Sequence, residues 1–125
     1  MGTTAMRELA ALERREIWDG VMARVVEGER MTLAVIEIRA GKRVPEHKHD
    51  NEQIGFVIEG TLVFRIGDET RELGPGGTWR ILSNVPHQVE AGPRGAIVAE
   101  AYAPVRADWS ELPAQGPATP VWPLP

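Results

Sequence analysis

The sequence predicts an all-β protein built as one antiparallel sandwich or barrel, and three observations predict it. From Trp18 to Ala103, about eight segments of four to ten residues rich in Val, Ile, Thr and aromatics follow one another closely. Gly, Pro, Asn or Asp break them, as at Glu59-Gly60, Gly67-Asp68, Pro75-Gly76-Gly77 and Asn84-Val85-Pro86. No helical stretch of the ~12 residues that a parallel crossover needs lies between them, which disfavours a parallel sheet and implies an antiparallel one.

Taken in order, the chain opens with helical spacing over Thr4 to Arg15, where Met6, Leu9, Ala10 and Leu12 recur at three to four residues. A short helical arm over 1–16 is expected, then a barrel over 17–108. Its strands are read as WDGVMARVV, MTLAVIEIRA, EQIGFVIEG, TLVFRIG, ETRELG, TWRIL, VPHQVEA and AIVAEAYA. The last 13 residues, Pro113 to Pro125, hold five prolines and Trp122. They can form neither a central strand nor a helix. An arm over 109–125 is expected, and Trp109 and Trp122 favour a packed arm over a disordered end, because an unburied Trp leaves a large apolar surface in water.

At 125 residues the chain makes one domain with a real core. Its formal net charge of −4, with both signs interleaved, excludes nucleic acid and anionic membrane surfaces as natural partners. The absence of cysteine removes disulfides, thiolate metal sites and cysteine nucleophiles. No secretory signal or membrane-length apolar stretch is visible, so a soluble cytoplasmic protein is expected.

The three histidines, His47, His49 and His87, are the only ones in the chain. His47 and His49 are two apart, so on an extended strand their side chains leave one face ~7 Å apart and can lean onto a single ion. His87 follows a Pro-Gly turn, a short strand and Pro86. Gln53 heads the next strand on the face shared by Gly55 and Val57, opposite Ile54, Phe56 and Ile58. One divalent metal ion on the three histidines is the expected cofactor, and Zn, Ni, Mn, Fe and Cu all remain open.

These residues carry a family resemblance. Gly41, His47, His49, Gln53 and Gly60, in the spacing G-x5-H-x-H-x3-Q-x6-G, resemble the first cupin motif with Gln where Glu is usual, and Pro75, Gly77 and His87 resemble the second. The resemblance spans about residues 30–103. It implies a double-stranded β-helix (a jelly-roll barrel), a homodimer, and a metal held by His47, His49, His87 and a carboxylate or amide, here Gln53. Glu52 is the alternative ligand if the strand bulges, although alternation sends it to the other face. A Gln ligand is neutral, so the ion's full charge faces the cavity and favours a small anionic substrate and Lewis-acid chemistry over the two-histidine, one-carboxylate oxygenase pattern.

Glu100 shares strand parity with Val98 and Tyr102. Facing inward, it is a candidate general acid or base in an apolar setting, with Tyr102 flanking the substrate and Arg106 clamping a carboxylate. Facing outward, it is an ordinary surface residue, Tyr102 is core, and Arg106 pairs with Asp108. Periodicity alone does not choose. Arg80 and Trp79 on TWRI are further substrate-binding candidates; an ordinary surface Arg is the alternative for Arg80. Glu100, Tyr102 and Arg106, with EQIGFVIEG and NVPHQV, resemble the small cupins that ketonise unsaturated uronates from pectin and alginate. Those carry Asp and Phe at the first two positions, which puts the substrate in doubt. Three functions follow: a redox-neutral isomerase or lyase acting on a small anionic sugar such as a 4,5-unsaturated uronate; an oxygenase or polyketide-cyclase-like cupin, which Trp79 in the pocket would favour; and a non-catalytic small-molecule binder.

Overall fold

The computed structural model describes residues 4–123. A three-residue 3-10 turn, Leu9–Ala11, precedes eight strands: β1 Arg14–Trp18, β2 Val21–Glu27, β3 Thr32–Ile38, β4 Arg43–His47, β5 Glu52–Ile66, β6 Glu69–Leu73, β7 Thr78–Ile81 and β8 His87–Ala103. A second 3-10 turn, Ala107–Glu111, follows. Every strand pairing among the described residues is antiparallel. No helix among the described residues is long and apolar enough to cross a membrane.

The register makes this a jelly roll. β5 and β8 run beside each other for nearly their whole length, and each serves two layers. The second half of β8 and the first half of β5 lie between β3 and β7, extending the layer β1-β2-β3-β8-β5-β7. Their other halves lie between β4 and β6. The crossing is made at irregular registers between Val57 and Glu59 and between Gly60 and Leu62. Gly60 sits there at φ 79°, and a Cβ on it would meet the Gly95 carbonyl oxygen at 2.0 Å, so the strands turn together only without a side chain. The sequence reading split both long strands at this corner.

Alternation puts Thr32, Ala34, Ile36 and Ile38 of β3 inside, beside Val98 of β8 and Val57 of β5 in the same layer, with Leu62 and Phe64 of β5 in the other layer. On the outer face, Leu33, Ile54 and Phe56 remain about half exposed. Ala101 and Ala99 of β8 lie across from Ile54 and Phe56, so these form a continuous apolar row.

The N-terminal helix is a correction. Residues 4–13 hold only the Leu9–Ala11 turn, and the chain is already strand at Arg14, before the expected barrel start at 17. Helical spacing alone was too weak: Met6 is 86% exposed, and of the expected stripe only Leu12 is buried. β1 instead gains backbone partners on both sides, β2 within the sheet and the Gln115 N–H, which donates to the Arg14 carbonyl (2.9 Å). The Pro-rich segment lies along this edge. Arg14 Nε donates to the Gly116 carbonyl (2.9 Å) and Arg24 Nη2 to the Ala118 carbonyl (3.0 Å). The final residues of the expected arm, 124 and 125, lie outside the described residues.

Candidate metal centre and its cavity

The three histidines converge because two strand ends meet. His47 closes β4, His87 opens β8, and the two are register partners. One ring nitrogen from each of His47, His49 and His87 lies within 4.8 Å of the others. Each Nδ1 faces a backbone carbonyl, which makes it the protonated nitrogen: His47 to Pro45 (2.8 Å), His49 to Asn51 (3.0 Å) and His87 to Val85 (2.9 Å). Nε2 is therefore the nitrogen left to hold an ion, and it carries a lone pair wherever the ring is neutral. Burial holds the His87 pKa down at about 4, and burial followed by the charge of Arg106 lowers that of His49, so both are neutral imidazoles.

Two observations show that these residues fit a cation. First, His87 Nε2 is buried with no hydrogen-bond partner. Second, His49 Nε2 lies 3.0 Å from Gln53 Oε1, which sets two acceptors against each other when His49 is neutral. Rotating the amide relieves this only when Glu100 is protonated, since Gln53 Nε2 donates to Glu100 Oε2 (2.8 Å) and its oxygen would then face that carboxylate. A cation shared by these lone pairs resolves both faults. Gln53 is buried, whereas Glu52 points outward and is exposed.

Beside this cluster stands Glu100, 6% exposed. It occupies a row across the sheet: Ala34 of β3, Glu100 of β8, Gly55 of β5 and Trp79 of β7 are successive register partners. Small neighbours make room for the carboxylate. A Cβ on Gly55 would lie 2.5 Å from the Ala99 carbonyl oxygen, 2.9 Å from Glu100 Cγ and 3.0 Å from Trp79 Cε2. The Tyr102 hydroxyl also donates to Oε2, so both donors converge on one oxygen. Burial pushes the Glu100 pKa up to about 7, against the stabilising bonds from Tyr102 and Gln53 and the charge of Arg106. Tyr102 is itself pushed well above the usual phenol range by burial and by this carboxylate.

Both groups open onto a cavity of about 290 Å³, also lined by Trp18, His47, His87, Arg106, Asp108 and Trp109. This is the small end of the range for ligand pockets, ~300–1,000 Å³. Arg106 stands in its wall, with its guanidinium carbon 5.1 Å from the Tyr102 ring centre and 4.3 Å from that of Trp109. Asp108 holds it bidentately, at 3.1 Å to Nε and 2.9 Å to Nη2.

With this geometry in view, residues 34–93 match the family model described as Cupin domain. The fold is that of the cupins, and residues 34–93 are similar to a cupin domain. Among solved structures it is similar to an RmlC-like cupin from Shewanella frigidimarina (TM-score 0.78, 20% identity, 85% of this chain and 96% of that one). It is also similar to KdgF from Halomonas sp. (TM-score 0.71, 21% identity, 76% and 88%). A third likeness is to oxalate decarboxylase from Bacillus subtilis (TM-score 0.70, 21% identity), covering 83% of this chain and 30% of that one. No curated protein matches the sequence.

In this cupin fold the structure gathers His47, His49, Gln53, His87, Glu100, Tyr102 and Arg106 at one end of the barrel. It does not bring in Arg80, which is exposed on the outer face. Trp79, next to it, points inward, and alternation allows only one of two neighbours into the interior. Trp79 is buried, but it packs 5.0 Å from Phe64 and behind Glu100 rather than in the cavity wall. Its indole N–H is buried without a hydrogen-bond partner. Sequence reasoning missed Trp18, whose ring lies 5.5 Å from that of His47, and Gly55. Alternation from Gln53 already pointed to Gly55; nothing in the sequence marked Trp18.

Proposed function

We propose that this cupin is a redox-neutral enzyme that moves a proton on a small enolisable carboxylate. The observation that carries the reading is Gln53, whose amide touches His49 with its oxygen and Glu100 with its nitrogen. It ties a neutral donor set to a buried carboxylate that is not itself in the histidine cluster. His47, His49, His87 and Gln53 would hold one divalent ion, which when bound supplies Lewis-acid polarisation of a carbonyl or hydroxyl oxygen. The protein supplies the rest. Glu100 is poised as acid or base because burial disfavours its charge while two donors keep Oε2 fixed. Oε1 is the oxygen left to exchange a proton with substrate. Arg106, held by Asp108 and stacked on two rings, presents a fixed cation for the substrate's carboxylate.

The sequence resemblance supports a 4,5-unsaturated uronate as the first substrate to test. Loss of its ultraviolet absorbance on incubation with metal-loaded protein, abolished in Glu100→Gln with metal retained, would favour a sugar acid; proton exchange on another enolisable carboxylate without it would keep the mechanism and reject the uronate. Unchanged turnover in Glu100→Gln removes that residue from the mechanism. Oxygen consumption by the iron-loaded protein would instead favour an oxygenase. With Trp79 behind Glu100, the feature that favoured an aromatic-substrate oxygenase is no longer in the pocket. The apolar outer row of Leu33, Ile54 and Phe56 supports a homodimer.

A further inference from the structure

Resting on the reading that Arg106 holds an acid and Glu100 moves its proton, we infer that the substrate is a small carboxylate with a hydrocarbon body, not a polyhydroxylated sugar acid. The polar groups of the cavity lie at one end. Below Glu100 on β8 the next inward residue is Val98, register partner of Ile36. Below His47 and His87 on the other layer come Val44 and Val89, partners of each other, with Phe64 beside Val89. All five line the cavity, as does Ile38. Each step of two residues moves ~7 Å deeper, so everything beyond the acid end is hydrocarbon.

A sugar acid carries hydroxyls around its ring, and these need partners. Among the described residues, the cavity walls contain no Ser, Thr, Asn or Lys. The Tyr102 hydroxyl is already engaged with Glu100, and the Gln53 amide with Glu100 and His49. Of the remaining polar groups, Arg106 and Asp108 hold each other, His47 and His87 turn Nε2 toward the cation site, and Glu100 Oε1 serves the proton, which leaves only the Trp18 and Trp109 indole N–H groups. Each hydroxyl placed against the Val and Ile walls without a partner lowers affinity roughly tenfold. A hydrocarbon body of aryl or branched-alkyl size meets the same walls with no such loss.

The test is calorimetric titration of the metal-loaded protein with two acids of similar size, phenylpyruvate and galacturonate. The expected result is at least roughly tenfold tighter binding of phenylpyruvate. In Val98→Thr, and separately in Val89→Thr on the opposite wall, phenylpyruvate should weaken roughly tenfold while metal content stays unchanged. Equal or tighter binding of galacturonate overturns the inference. So does failure of phenylpyruvate to bind, or unchanged affinity in both variants when melts show them folded. Exchange of the phenylpyruvate C3 protons with deuterated solvent separates this inference from the function it rests on. A bound phenylpyruvate that exchanges no faster than in buffer rejects proton transfer and leaves the substrate class standing.

Discussion

Gly55→Ala tests why a carboxylate can stand where Glu100 stands. The added methyl would lie 2.5 Å from the Ala99 carbonyl oxygen, 2.9 Å from Glu100 Cγ and 3.0 Å from Trp79 Cε2. Comfortable separations are about 3.5–4.0 Å, so the methyl is too close on three sides by roughly 0.5–1 Å or more. Ala99 is backbone held by β3 and β5, and Trp79 is packed on Phe64, so neither moves freely. Overpacking of this kind costs about 1–3 kcal/mol. For a domain of this size that is a fall of roughly 4–12 °C in Tm. Glu100 is the side chain best able to give way, and a displacement near 1 Å lowers kcat roughly 100-fold. The assay is a thermal melt with metal analysis alongside, and Gly74→Ala is the control. A Cβ on Gly74 meets only Thr61 Cγ2, at 4.0 Å, so that variant should stay within about 0.5 kcal/mol of the parent. If Gly55→Ala melts with Gly74→Ala, the close approach across Gly55 does not govern this site and the reasoning fails.

Three further outcomes follow from the same geometry. Removing metal with a chelator should lower Tm by roughly 10 °C relative to protein at about a hundredfold excess of metal over Kd, because binding the folded state alone adds ~2.7 kcal/mol there; an unchanged melt argues against a tight site. Gln53→Ala should weaken metal binding by roughly 10–100-fold while Glu52→Ala changes it little, read by competition with a chromogenic chelator; the reverse order makes Glu52 the ligand. Phe56→Glu should convert a dimer to monomer in light scattering without loss of metal, and a monomeric parent protein would remove the proposed interface.

Much of the site could be read from the chain because strand parity is strict. Once His47 and His49 share a face and Gln53 opens a strand, alternation sends Glu52 outward and Gly55 inward, and the structure agrees at each position. The same parity places Glu100 and Tyr102 inside together, although periodicity could not say which face was inside; the small partners Ala34 and Gly55 across the sheet decide that. Arg80 and Trp79 were incompatible as joint cavity residues by this rule. The N-terminal segment misled because its apolar spacing fits a helix while its backbone partners, β2 and Gln115, are remote in sequence. Arg106 shows a different limit: both readings hold in part, since it pairs with Asp108 and also stands in the cavity wall.

In the proposed site His47, His49, His87 and Gln53 hold one cation between them. Metal content per chain, measured on the parent protein and on His87→Ala after loading with Zn or Mn and desalting, tests it most directly. About one ion per chain is expected in the parent, with a fall to near zero in His87→Ala. An empty parent protein, or a full complement retained without His87, would contradict it.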